Sequence, residues 1–222
     1  MCGRYTARFT ETTRLPENLA WLIPRFAPCY NIVPQQKAPI IRLSEGKPVC
    51  EEITWGFRPS WMKDRNKVQI NARAETLFEK PMFRDSALHR RCLVLANGWY
   101  EWQKQPDGKQ PYRFHLQSDE LFTFAGIWTR WHTQGEEQQD SDSYAIVTTE
   151  ADVLSAPIHN RMPAVLSEHA CETWMDVDHS EPVKLGALLR PYSGSDLRAY
   201  RVNTAVNSTR NDSEDCIRPM AH

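Results

Sequence analysis

Arg91-Cys92-Leu93-Val94-Leu95-Ala96-Asn97-Gly98-Trp99-Tyr100-Glu101-Trp102 is the stretch on which the fold turns. Residues 91–96 read as a short apolar strand, Asn97-Gly98 as a tight turn or bulge, and residues 99–102 as strand resumed. One strand passes into the next without a helix. The same pattern spreads outward. Residues 38–43 and 49–55 read as two strands joined by the Ser44-Glu45-Gly46-Lys47 turn. Further strands are expected at 3–9, 111–116, 121–131, 144–149 and 197–202. Helical patterns appear at 16–22, with Pro16 in the first turn, at 75–80, at 168–175 and at 182–189. About eight strands with three or four helices, not repeating as strand-helix-strand, predict an α+β fold on an antiparallel or mixed sheet. Residues 24–34, with three prolines, read as irregular connection. Trp55-Gly56-Phe57-Arg58-Pro59-Ser60-Trp61-Met62 is aromatic but too rich in Gly and Pro for a regular strand. No repeat and no linker divides the chain, so residues 1–222 are expected to form a single domain.

The 222 residues can bury a proper core, and 41% hydrophobic with 25% charged residues reads as a soluble globular protein. No apolar run of about 18 residues is present, so no membrane span is expected. The amino terminus lacks an apolar signal core, which predicts a cytoplasmic protein. Six scattered cysteines without a C-x-x-C pair read as reduced thiols, and the seven histidines show no metal-ligand spacing. No metal and no cofactor are expected. The net charge of −1 conceals an asymmetry: residues 1–111 hold 18 Lys and Arg against 11 Asp and Glu, and residues 112–222 hold 9 against 17. That imbalance fits either a basic face for phosphates or acidic loops such as Glu136-Glu137 and the Asp212–Asp215 tail.

Met1-Cys2-Gly3-Arg4 opens the chain. Removal of Met1 would leave Cys2 as a terminal 1,2-aminothiol. Its amine, with a pKa of about 7.7–8.0, is partly neutral near pH 7, and its thiol is a second nucleophile. Such a pair suits an aldehyde: the amine forms an imine and the sulfur closes a five-membered thiazolidine. Amide chemistry is the other use, with the amine as base for its own side chain. A small buried residue on the first strand is the bland alternative.

Glu101 shares a strand face with Trp99, and a carboxylate beside an indole in a dry site titrates high, as a general acid or base requires. Otherwise it is an edge-strand glutamate facing water. His159 lies in a Pro-flanked loop, suited to proton shuttling or simply solvated. Asn71 and Arg73 could bind phosphate or hold a carbonyl, or form a turn and a surface charge. Arg4 and Arg8 allow the same two readings. Trp61-Met62 and Trp55-Gly56-Phe57 could be stacking platforms for bases, or core.

Taken together, Met1-Cys2-Gly3-Arg4-Tyr5, Tyr30-Asn31-Ile32-Val33-Pro34, Trp55-Gly56-Phe57, Ile70-Asn71-Ala72-Arg73-Ala74-Glu75-Thr76, Gly98-Trp99-Tyr100-Glu101-Trp102 and Ile158-His159-Asn160-Arg161-Met162-Pro163 occur in that order. So arranged, with Val206-Asn207-Ser208 following, they resemble the SOS-response-associated peptidase (SRAP) family over essentially the whole chain. The resemblance implies a curved, barrel-like mixed or antiparallel β core with a few flanking helices. It implies a monomer that captures abasic sites in single-stranded DNA, with weak lyase activity on the side. Cys2 would be the nucleophile, Asn71 would hold the opened sugar, and Glu101 and His159 would move protons. Arg4, Arg73, Arg161 and Asn31 would lie along the DNA, with Trp61-Met62 as a wedge beside the lesion. Val33 and Asn160 depart from the family's usual alanine and aspartate, and the second bears on how His159 is oriented. The competing expectations are an N-terminal-cysteine peptidase that also removes Met1, and a non-catalytic single-strand-binding module.

Overall fold

The computed structural model describes residues 2–9, 26–62, 64, 67–131, 141–178 and 180–220. Met1, the expected helix at 16–22 and the Glu136-Glu137 loop lie outside them. The described strands are β1 (Tyr5–Ala7), β2 (Cys29–Ile32), β3 (Lys37–Ser44), β4 (Lys47–Trp55), β5 (Asn71–Arg73), β6 (Arg91–Ala96) and β7 (Gly98–Gln105). They continue as β8 (Gly108–Leu116), β9 (Phe122–Trp131), β10 (Ser141–Glu150), β11 (Arg161–Pro163), β12 (Val165–Leu166) and β13 (Leu197–Arg201). Three short helices flank them: α1 (Arg84–His89), α2 (Glu168–Met175) and α3 (Pro182–Leu188).

Two sheets result. In the first, β10 pairs β4 in parallel, and β4–β3, β3–β6, β6–β9 and β9–β10 are antiparallel, so five strands close into a mixed barrel. Closure leaves no free edge within that ring. The second sheet is antiparallel, in the order β13-β8-β7-β1-β2. The chain steps from barrel to sheet at Asn97, between β6 and β7, where Asn97 N–H donates to Thr6 O at 2.9 Å. The α+β class and the barrel-like core are as the sequence led us to expect.

The hairpin β3–β4 turns through Glu45 (φ 51°) and Gly46 (φ 76°), two left-handed residues whose twist matches the flanking strands. The strand count was low because β5, β11 and β12 are two or three residues long, too short to show a period of two. β2 was read as irregular because of Pro28 and Pro34. It is an edge strand, where proline costs no ladder bond. The helix expected at 75–80 is instead a 3₁₀ turn over Ala74–Thr76, with α1 following later. Pro81 explains the interruption, since it disfavours the helical conformation at Lys80 and donates no N–H.

Successive residues of β6 feed two different cores. Leu93 and Leu95 pack with Ala87, Ala170 and Trp174 of the helical side. Cys92, Val94 and Ala96 pack with Tyr5, Trp55, Trp99, Phe124 and Tyr144, and Cys2 is buried in that second cluster. Trp99 stacks on Phe114, with centroids 5.0 Å apart and planes 10° from parallel. Tyr5 and Tyr144 share a short hydroxyl–hydroxyl bond in the same cluster.

Gly98 is the tightest point of the step from β6 to β7: a Cβ there would stand 2.7 Å from Phe114 O and 2.9 Å from Arg113 Nε. Gly98→Ala should therefore cost about 1–3 kcal/mol as the backbone shifts to make room. The urea midpoint should fall with an unchanged m-value, and an unaltered midpoint would show that the step has slack.

Candidate active site around Cys2

β1 lies antiparallel to β7 with Tyr5 opposite Trp99 and Thr6 opposite Gly98. The pairing runs on through Tyr100 N–H to Arg4 O at 3.0 Å, which brings Cys2 near enough to Glu101 to feel its charge. Glu101 is in an interior strand between β1 and β8, only 2% exposed, so the edge-strand reading fails. Burial pushes its carboxyl up to about 7, against the pull of the positive amino terminus. Burial, then the nearby Glu101, raises the Cys2 thiol well above its usual range. Its Sγ has only a weak contact at 3.8 Å to Arg4 O.

Asn71 and Arg73 occupy alternate positions of β5, so they share a face, with the buried Ala72 on the other. β5 is held in parallel against β10, Ile146 opposite Asn71 and Thr148 opposite Arg73. Asn71 Nδ2 donates to Cys2 O at 2.8 Å, while its buried Oδ1 has no partner among the described residues. An acceptor is therefore left beside the nucleophile.

His159 Nδ1 stands 3.9 Å from Glu101 Oε2. Arg161 N–H lies 3.0 Å and Arg161 O 3.2 Å from that Nδ1, so the Arg161 backbone holds the ring there in either tautomer. The backbone of Arg161, and not the exposed Asn160 side chain, sets the ring's orientation. Burial, then the positive terminus, lowers the His159 pKa, and the backbone contact with Arg161 opposes them. A buried carboxyl that titrates near neutrality thus stands 3.9 Å from an imidazole, a pair suited to passing a proton.

The remaining expected residues divide. Arg73 and Trp61 are exposed, Trp61 at 61%, and Met62 is half-buried. Arg161 is engaged with Glu75 through two bonds of 2.6 and 2.9 Å, and with Thr148 O. Arg4 donates to Asn31 Oδ1 at 3.0 Å, Val206 O at 2.6 Å and Asn207 O at 3.2 Å. Asn31 is buried and gives its amide to the carbonyls of Val206, Ser208 and Asn211. Glu75 and the 203–217 segment are contributors that the sequence reading passed over. Only the motif Val206-Asn207-Ser208 hinted at the latter. Among the described residues no cluster of His, Cys, Asp and Glu could hold a metal.

A closed mixed barrel beside an antiparallel sheet, with Cys2 buried against a high-titrating carboxyl and an imidazole, defines an α+β protein with an amino-terminal cysteine centre. The chain belongs to the SOS response associated peptidase (SRAP) family, whose model matches residues 1–209. It is 37% identical over 224 residues to the abasic site processing protein YoqW of Bacillus subtilis, covering 98% of this chain and 99% of that one. It is 32% identical over 229 residues to the abasic site processing protein HMCES of Gallus gallus, covering 88% of this chain and 67% of that one. A crystal structure of a protein from Bacteroides thetaiotaomicron superposes with a TM-score of 0.83 at 25% identity, covering 99% of this chain and all of its own.

Glu101 offers a direct test of this burial. Its carboxyl titrates at about 7 when folded and near the ordinary carboxylate value when unfolded, so between those values the folded chain binds more protons. Stability is lost as pH rises through that window, and above it the charged form carries the full penalty. Glu101→Gln removes the penalty and should stabilise the protein at pH 8 by on the order of 3 kcal/mol, with little gain near pH 4. Thermal unfolding at the two pH values measures this, and a lower Tm for the variant at pH 8 would contradict the burial.

Proposed function

We propose that the protein covalently captures abasic sites in single-stranded DNA through Cys2 once Met1 has been removed. What carries this reading is one observation: Cys2, Asn71, Glu101 and His159 converge, with Asn71 bonded to Cys2 O at 2.8 Å and His159 3.9 Å from Glu101. The names of the relatives, abasic site processing proteins, support it.

An abasic deoxyribose equilibrates with a ring-opened aldehyde. The Cys2 amine attacks C1′, a C–N bond forms, and the aldehyde oxygen leaves as water with Glu101 supplying a proton. The thiol then adds across the imine, its sulfur bonding C1′ and its proton passing to nitrogen, which closes the thiazolidine. Asn71 Oδ1 accepts from a sugar hydroxyl, and His159 protonates the ring oxygen O4′ as the sugar opens, with the proton of the C1′ hydroxyl replacing the one it gave. The high thiol pKa favours this order, amine first, and disfavours a thiolate attacking an amide directly, as an N-terminal-cysteine peptidase would need. Without sulfur closure the imine can undergo β-elimination, which gives weak lyase activity. Exposed Arg73 meets a phosphate, while Arg4 and Arg161 offer only the N–H groups their chain partners leave over. Asn31 reaches the DNA through Arg4. Trp61 with Met62 enters the gap left by the missing base, which favours single strands.

An oligonucleotide with one abasic site should yield an adduct that survives denaturation, from protein whose intact mass shows loss of Met1. Cys2→Ser should give only a borohydride-trappable imine, and a stable adduct from that variant without reductant would refute ring closure. The adduct rate should be bell-shaped in pH, rising as the amine deprotonates near pH 8 and falling as Glu101 ionises near 7. Glu101→Gln should flatten the alkaline fall and lower the maximum by about 10²-fold, and an unchanged profile would remove Glu101 from the chemistry.

A further inference from the structure

β2 ends the five-stranded sheet, and among the described residues no strand pairs with its outer side. Asp212 takes that place. Its Oδ1 accepts from Tyr30 N–H at 2.6 Å and Asn31 N–H at 2.9 Å, and its Oδ2 lies 3.2 Å from Cys29 Sγ. The segment around it is bound into the sheet at several further points. Trp102 Nε1 donates to Asn207 Oδ1 at 2.7 Å, and the Tyr100 hydroxyl spans Tyr30 O at 2.7 Å and Cys216 O at 3.3 Å. Asn31, whose backbone Asp212 holds, in turn accepts from Arg4 Nη1, and Arg4 also donates to the segment's Val206 O. Arg4 is two residues from Cys2. The run Asp212–Asn31–Arg4 therefore ties the carboxy-terminal strap to the start of β1, and Asp212 lies beyond residue 209, where the family match ends.

We infer that Asp212 is a positioning residue: by fixing Asn31, and through it Arg4, it holds Cys2 near Glu101. The inference about adduct rate rests on the function proposed above, but the placement of Cys2 does not. Asp212→Ala deletes the two backbone contacts to β2 and the one to Cys29 Sγ. Asp212→Asn can keep the two backbone contacts, since one amide oxygen replaces Oδ1, so the conservative variant should rescue.

The test uses the full chain with its amino terminus defined by intact mass. Iodoacetamide labelling of Cys2 is followed by peptide mass spectrometry, with Cys171, buried in the other core and away from the strap, as internal reference. Asp212→Ala should speed Cys2 labelling by about fivefold or more while Cys171 stays constant, as a local opening does, and Asp212→Asn should stay within about twofold of wild type. At saturating abasic-site oligonucleotide, Asp212→Ala should lower the adduct rate by about tenfold, because a small misplacement of a nucleophile is costly. Unchanged Cys2 labelling, or Cys2 and Cys171 accelerating together, would overturn the inference. If Asp212→Ala does not fold, Asn31→Ala breaks the same run at its middle and is read by the same criteria. Shifted labelling with no adduct from the wild type would retain the positioning role and reject the proposed function.

Discussion

The antiparallel pairing of β1 with β7 is the constraint on which the site depends. Two register pairs, Tyr5–Trp99 and Thr6–Gly98, decide where the first residues of the chain lie. A slip of one residue would turn Cys2 to the other face and displace it from Glu101. The register is defended from both sides. Tyr5 is locked by its hydroxyl bond to Tyr144 and by edge contacts with Trp55 and Phe124, and Gly98 admits the backbone of Phe114 only because it has no Cβ. An amino terminus is ordinarily the least ordered part of a domain. Here its first strand is built into an aromatic core.

From that placement the electrostatics follow. Glu101 is in an interior strand, so burial raises its carboxyl to about 7, while the same dry surroundings and positive neighbours depress His159. Two groups whose solution values differ by about two units are thereby brought closer together. Neither shift belongs to the residue type. Both come from position, and the ring is held at Nδ1 by the backbone of Arg161.

The arginines show how charge in a sequence can mislead about its use. Four were candidates for phosphate contact: Arg4, Arg8, Arg73 and Arg161. Arg161 braces the Asn71–Glu75 connection through Glu75 and Thr148, Arg4 binds the strap, and Arg8 is paired with Asp119. Arg73 alone of the four is exposed, on the same face of β5 as Asn71. Part of the basic excess of the first half braces acids and carbonyls of the second, as Arg8 does with Asp119 and Arg42 with Asp142.

The sequence by itself determined the strands with clear alternation or apolar runs, the helices at 168–175 and 182–189, and the six ordered motifs that carry the family. It also singled out Cys2, Asn71, Glu101 and His159, because their residue types and local settings suit proton transfer and aldehyde chemistry. Strands of two or three residues were illegible, since a period of two cannot show in so few positions, and β2 was masked by its flanking prolines. Only the tertiary structure decided that the barrel closes through the parallel β10–β4 pair, that Glu101 is interior, and that Asp212 and Glu75 act on residues far away in the chain. These are relations between segments 70 to 180 residues apart, such as Asn71 with Cys2 and Asp212 with Asn31. Local patterns of hydrophobicity fix what a segment can become, but which segments meet is settled by the packing of the whole chain.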